Sequence, residues 1–188
     1  MILIGFAKID FAQDFPLFKV EGTQITGLTP EREAKMVRAM AIFEKVMNDK
    51  DFQVELMKFP FEFDVPNDPN RNLTSAEVTE KLYQGQEHYK SGKDNTANLH
   101  WVIKRKARPI FSRHPAIGFG NPGEKEIFTY TWFFDQSNNL ADLIGHIAHE
   151  WSHKVGFDHL FKPHSGRENT VPYAFGELVR RFALRHIE

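Results

Sequence analysis

Residues 149–159 read His149-Glu150-Trp151-Ser152-His153-Lys154-Val155-Gly156-Phe157-Asp158-His159, three histidines, a glutamate and a glycine within eleven positions. The segment before them fixes their local structure. Leu140, Leu143, Ile144, Ile147, Trp151 and Val155 recur at helical spacing, and Ser137 is placed to cap that helix. On a helix, His149 and His153 are one turn apart and project from one face, with Cβ atoms about 5–6 Å apart. Two imidazoles so placed reach one zinc ion at about 2.0–2.1 Å. Glu150 points roughly 100° around the helix, beside the ion rather than onto it, where it can take a proton from water.

The third ligand depends on Gly156. Glycine tolerates the left-handed conformation that ends a helix, so the chain can turn and bring His159 back toward the same ion. Three protein ligands and an open position is the arrangement of catalytic zinc. With this chain's composition, the five fixed letters of HExxHxxGxxH arise by chance in about one such chain in ten thousand. His146, one turn earlier, would be a ligand only for an ion too far up the helix for His159, and reads as a buried supporting side chain. His88, His100, His114, His164 and His186 lack any such context and read as ordinary surface or core residues.

Working outward, residues 2–11 and 17–26 read as strands, with a turn at Glu21-Gly22. Thr29-Pro30 opens a helix over 30–48, with Met36, Ala39, Met40, Phe43, Val46 and Met47 on its buried side. Residues 51–63 fit both patterns: Phe59, Phe61 and Phe63 alternate as in a strand, and Phe52 to Met57 fit a helical turn. Residues 64–72 (DVPNDPNRN) form a loop whose acids miss the EF-hand calcium spacing. Thr74 and Glu77 make a capping box for a helix to about Gly85. Further strands are expected over 99–105, 116–119 and 126–134, and a last helix from about Tyr173 to the C-terminus. The cluster Lys104, Arg105, Lys106, Arg108 and Arg113 reads as a solvated strand face.

The 188 residues suit one domain, with 41% hydrophobic and 26% charged residues and a net charge of −1. This balance gives no general pull toward nucleic acid or an anionic membrane surface, and a monomer is expected. With no cysteine, neither a disulfide nor a thiolate metal site can form. The first residues, MILIGFAKIDF, lack the pattern of a signal peptide, and no stretch has the roughly 20 apolar residues of a membrane span. The compartment stays open.

At His149, Glu150, His153, Gly156 and His159 the sequence resembles the metzincin metallopeptidases, whose signature is HExxHxxGxxH. The resemblance implies an α+β fold: a twisted mixed sheet with an antiparallel edge strand, a backing helix, an active-site helix and a C-terminal helix. It implies one catalytic domain over 1–188, with an N-terminal part to about 156 and a small C-terminal part over 157–188. It further implies a zinc-dependent endopeptidase with one catalytic ion on His149, His153 and His159, and Glu150 as general base. An extended protein or peptide substrate would pair with the edge strand. The sequence departs from the family at its methionine turn, because every Met (1, 36, 40, 47, 57) precedes the motif. Thr170-Val171-Pro172-Tyr173 is the equivalent segment. Val171 takes the Met place, and Tyr173 the place of a tyrosine that approaches zinc in astacins and serralysins and here would act as a catalytic residue. Leu160 matches no subfamily residue after the third His. Arg167 and Glu168 fall in the connection that would wall the primed-side pocket. Two other readings remain: a zinc-containing module that binds peptides without cutting them, and a zinc hydrolase of a non-peptide amide.

Overall fold

Residues 19–26 and 96–104 lie side by side as parallel strands, although three helices separate them in sequence. Parallel neighbours need such a crossover, and both carry β-branched residues that fit a pleated surface, to which the second adds Trp101. The computed structural model describes residues 15–110, 115–121, 123–136 and 140–187. Its elements are β1 (Lys19–Thr26), α1 (Pro30–Met47), α2 (Lys50–Lys58), α3 (Ser75–Gln84), β2 (Thr96–Lys104), β3 (Gly118–Phe119), β4 (Glu126–Tyr130), α4 (Thr131–Gln136), α5 (Leu140–Val155) and α6 (Val171–Ala183), with a 3-10 turn at Arg167–Asn169. Among the described residues the fold is α+β, with six α-helices and one four-stranded mixed sheet ordered β1-β2-β4-β3. β1, β2 and β4 are parallel, and the short edge strand β3 runs antiparallel to β4.

Local signals set most boundaries. The Thr29 hydroxyl accepts the Arg32 N–H at 3.4 Å, with Pro30 at the first helical position. The Thr74/Glu77 box forms with both reciprocal bonds, and Gly85 ends α3 at φ 61°. The ambiguous 51–63 stretch resolves as α2, which Asp49 caps. Its alternating phenylalanines make no strand; Glu62 contributes only an isolated bridge to Thr170.

Three expectations need correction. Glu21 and Gly22 lie inside β1, where the register shifts between Gly22 and Gln24, so the expected turn is an irregularity within a strand. The strand expected over 126–134 stops at Tyr130, and 131–136 is helical. There Phe134 is buried against the Trp101 ring at 6.1 Å and its carbonyl accepts the Lys35 ammonium, tertiary contacts that outweigh an aromatic-rich β pattern. The basic run is also not one strand face, because β2 ends at Lys104. Lys104 lies over Phe119 and Phe128, and Lys106 over Tyr130. The strand expected over 2–11, the Ser137 cap, Arg113 and His114 lie outside the described residues.

The core runs through a chain of ring contacts. Phe18 meets Trp151 at 5.6 Å, Trp151 meets Phe43 and Phe175 at 6.2 Å, and Phe52 meets Phe182 at 5.3 Å. These rings join α1, α2, α5 and α6 behind the motif. Trp151 is fully buried, and its indole N–H donates to the Glu87 carboxylate at 3.1 Å. It stands about 200° around the helix from His149. Burying the indole therefore turns the histidines the other way, out of the core. No helix among the described residues is long and apolar enough to cross a membrane.

Candidate metal centre

Residue 155 ends α5, and Gly156 follows at φ 99°. Its N–H donates to the His153 carbonyl at 3.1 Å, and the Phe157 N–H to the Ser152 carbonyl at 3.1 Å. A side chain has no room here: a Cβ would lie 2.1 Å from His88 Nε2. The chain thus reverses at the glycine, and the His159 ring returns to the other two. Ring centroids stand 5.2 Å apart for His149–His153, 5.2 Å for His149–His159 and 5.0 Å for His153–His159. One ligand atom from each lies within 4.8 Å of the others.

The nitrogen geometry fits a common ion. His149 Nε2 and His159 Nε2 are 3.2 Å apart. Two nitrogens at about 2.0–2.1 Å from a tetrahedral zinc stand roughly 3.3 Å apart. The outer nitrogens are accounted for as well. His153 Nδ1 lies 2.8 Å from the Phe157 carbonyl and His159 Nδ1 3.1 Å from the Leu160 carbonyl. The His149 ring bonds the backbone of Pro172, which has only a carbonyl to offer. His153 and His159 thus donate Nδ1–H to carbonyls, which leaves the lone pair of each on Nε2. Such bonds fix the tautomer and ring direction of metal-ligating histidines. Burial pushes His149 well below the ordinary imidazole range, lowers His159, and takes His153 down to about 4. All three are neutral at pH 7, the state that binds metal.

Glu150 lies beside this cluster, not in it. The Gly120 backbone N–H donates to its carboxylate, and His146 Nδ1 stands 3.5 Å away. Burial raises its pKa to about 8, against the pull of the Lys154 charge. A bound cation would pull the same way as Lys154, toward the ionised form. His146 is held from behind: the Trp101 indole N–H donates to Thr129 Oγ1 at 2.8 Å, and that hydroxyl meets His146 Nε2 at 2.9 Å. The ring also bonds the backbone of Phe128, so His146 is held on the side away from Glu150. His146 is buried, as its place on the helix implied.

No protein-family model, curated protein or solved structure matches this chain. The centre is therefore read from its own chemistry. Of the residues singled out in the sequence, His149, His153 and His159 come together, with Glu150 adjoining. Tyr173 packs its ring 4.6 Å from His149 and 4.7 Å from His159, and burial raises its pKa. Val171 is buried at the start of α6. His164 is ordinary in the sequence but lies 3.2 Å from Asp64.

The 64–72 loop is where sequence reasoning missed most. The Asp64 carboxylate accepts the Leu160 N–H at 3.1 and 3.2 Å, next to the third histidine. Asn70 donates to the Gly156 carbonyl at 2.8 Å. This loop clamps the chain on both sides of His159. Lys154, fully buried, donates to the Asn121 carbonyl at 3.0 Å, and burial lowers its pKa to about 8. It ties the end of α5 to the turn after β3. Neither loop composition nor helix periodicity signals these long-range bonds. The useful hint was a lysine on an otherwise buried helix.

Proposed function

We propose that the chain is a zinc-dependent endopeptidase of the metzincin type, with the ion on His149, His153 and His159 and Glu150 as general base. One observation carries this reading: three imidazoles converge, two of them with Nδ1 tied to a carbonyl and the third bonded to the Pro172 backbone, and a carboxylate adjoins without joining. A purely structural site has no use for that carboxylate. Three imidazoles without thiolate suit zinc among the common divalent ions. The arrangement of β1, β2 and β4 parallel with an antiparallel β3 edge, α1 against the sheet and the motif on α5 supports the same reading.

When bound, the ion supplies a Lewis acid that acidifies water and polarises a carbonyl. Glu150, held by the Gly120 N–H, takes the proton from the attacking water and passes it to the leaving amine. Tyr173 keeps its phenolic proton at neutral pH and is a hydrogen-bond donor for the developing oxyanion. The outer side of β3 offers main-chain groups to an extended substrate. Val171 closes the site from below as an apolar side chain.

The test is digestion of casein and a peptide library by purified protein, with and without a chelator. Glu150→Gln is expected to abolish cleavage while one zinc per chain stays bound. Unchanged cleavage in that variant ends the general-base assignment. Wild-type protein that holds zinc but cuts no peptide returns the reading to a peptide-binding module or a hydrolase of another amide.

A further inference from the structure

Arg167 occupies the one-turn 3-10 segment between the third histidine and α6. Its guanidinium carbon lies 4.3 Å from the centroid of the Tyr173 ring. That ring in turn stands 4.7 Å from His159. Laid end to end, the two separations span less than three residues of extended chain, at about 3.3–3.6 Å each. Arg167 is thus within reach of a substrate residue next to the bond being cut.

The guanidinium is poised and unsatisfied. Its Nε is buried and meets no hydrogen-bond acceptor. Among the described residues no carboxylate forms an ion pair with it, whereas Arg32, Arg180, Arg181 and Arg185 each pair with an acid. Lys154, the buried cation beside Glu150, already donates to the Asn121 carbonyl. An unmatched buried donor is costly, so an acceptor brought by a ligand would relieve it.

The backbone under Arg167 is fixed. Gly166 holds φ 89°, and a Cβ there would lie 2.8 Å from Glu62 Oε2. The Arg167 carbonyl accepts the Thr170 N–H at 3.1 Å and its hydroxyl at 2.7 Å. Asn169 Nδ2 donates to Glu62 Oε1 at 3.1 Å. The Tyr173 face holds one side of the planar group. A rigid fork of donors with no acid of its own matches oxyanions that take two parallel hydrogen bonds, and in a peptide substrate that group is a carboxylate.

We propose that Arg167 is a specificity-determining residue that binds a substrate carboxylate one or two residues from the scissile bond. The carboxylate comes from an Asp or Glu side chain, or from the C-terminus of a peptide that ends there. This rests on the peptidase reading for the identity of the substrate, but its test does not require turnover.

The probe is a set of fluorescent hexapeptides. They carry Glu or Gln at each of the three central positions, each made as the free acid and as the C-terminal amide. Binding is measured to zinc-loaded Glu150→Gln protein, with and without Arg167→Leu or Arg167→Lys. Circular dichroism and zinc content confirm that each variant is folded and loaded. Carboxylate-bearing peptides are expected to bind about tenfold to a hundredfold tighter than their neutral partners. Arg167→Leu erases that ratio and Arg167→Lys keeps part of it. A preference in the Glu series identifies the side chain as the source; one in the free-acid series identifies the C-terminus. Equal binding of charged and neutral peptides overturns the proposal, as does a preference that survives Arg167→Leu. Wild-type protein that cuts nothing yet shows the Arg167-dependent preference sinks the peptidase reading and leaves the carboxylate site standing. Cleavage without any acidic preference does the reverse.

Discussion

Gly145 of α5 and Gly176 of α6 face each other so closely that a Cβ on either would lie 2.8 Å from the other's carbonyl oxygen. A Cβ on Gly176 would also come within 3.0 Å of His149 Cβ. The two helices make the most extensive contact among the described elements, and His149, the first of the three candidate ligands, sits at their crossing. Gly176→Ala is therefore expected to lose about 1–3 kcal/mol of stability by overpacking against backbone. It should also weaken zinc binding by pushing on His149. Urea denaturation and a competitive zinc titration read the two effects. A variant as stable and as tight as the parent would show that the helices separate freely.

Zinc is expected to raise the melting temperature and a chelator to lower it. Binding to the folded state alone adds about 2.7 kcal/mol when free zinc is a hundred times its dissociation constant. His159→Ala should remove most of that gain. Identical melting curves with and without chelator would mean that the three nitrogens hold no ion.

Asp64 and Asn70 hold the chain on either side of His159 without belonging to the histidine cluster. Asp64→Ala frees the Leu160 N–H, and Asn70→Ala frees the Gly156 carbonyl. Each is expected to weaken zinc affinity by about tenfold to a hundredfold, the usual cost of removing an outer support. The measurement is competition against a chromogenic chelator. Affinity unchanged in both variants would show that the His159 loop holds itself.

His146 gives a pH dependence with a definite sign. Burial lowers its pKa from 6.5 to about 3, so it stays neutral in the fold where the unfolded chain takes up a proton. The unfolded state then binds more protons, and the contribution of this group falls as pH drops below about 6.5. The zinc-free wild type should therefore lose stability relative to His146→Gln by up to about 1.4 kcal/mol per pH unit between pH 6 and 4. Denaturation of both proteins across that range is the check. Parallel stability curves would mean that His146 charges freely in the fold.

The part of the site legible in the sequence was the part built from local geometry. Helical spacing places His149 and His153, and a glycine three residues on supplies the reversal for His159. The Thr74/Glu77 cap follows from equally short-range rules. The residues missed act across the fold: Asp64 on Leu160, Asn70 on Gly156 and Lys154 on Asn121. Gly145 and Gly176 left a trace, since a glycine inside a helix costs about 1 kcal/mol against alanine and so points to a close approach. Which surface approaches is not written locally. The misread 126–134 strand has the same cause, because Trp101 and Lys35 decide where Phe134 goes.

Trp151 sits between His149 and His153 in sequence and on the opposite side of α5 in space. The deepest anchor of the helix and its most exacting chemistry share a single turn. Shrinking this indole would let the helix roll, and both imidazoles would swing with it. A screen scored only by zinc retention would flag residue 151 as essential, although it stands on the far side of the helix from the three imidazoles.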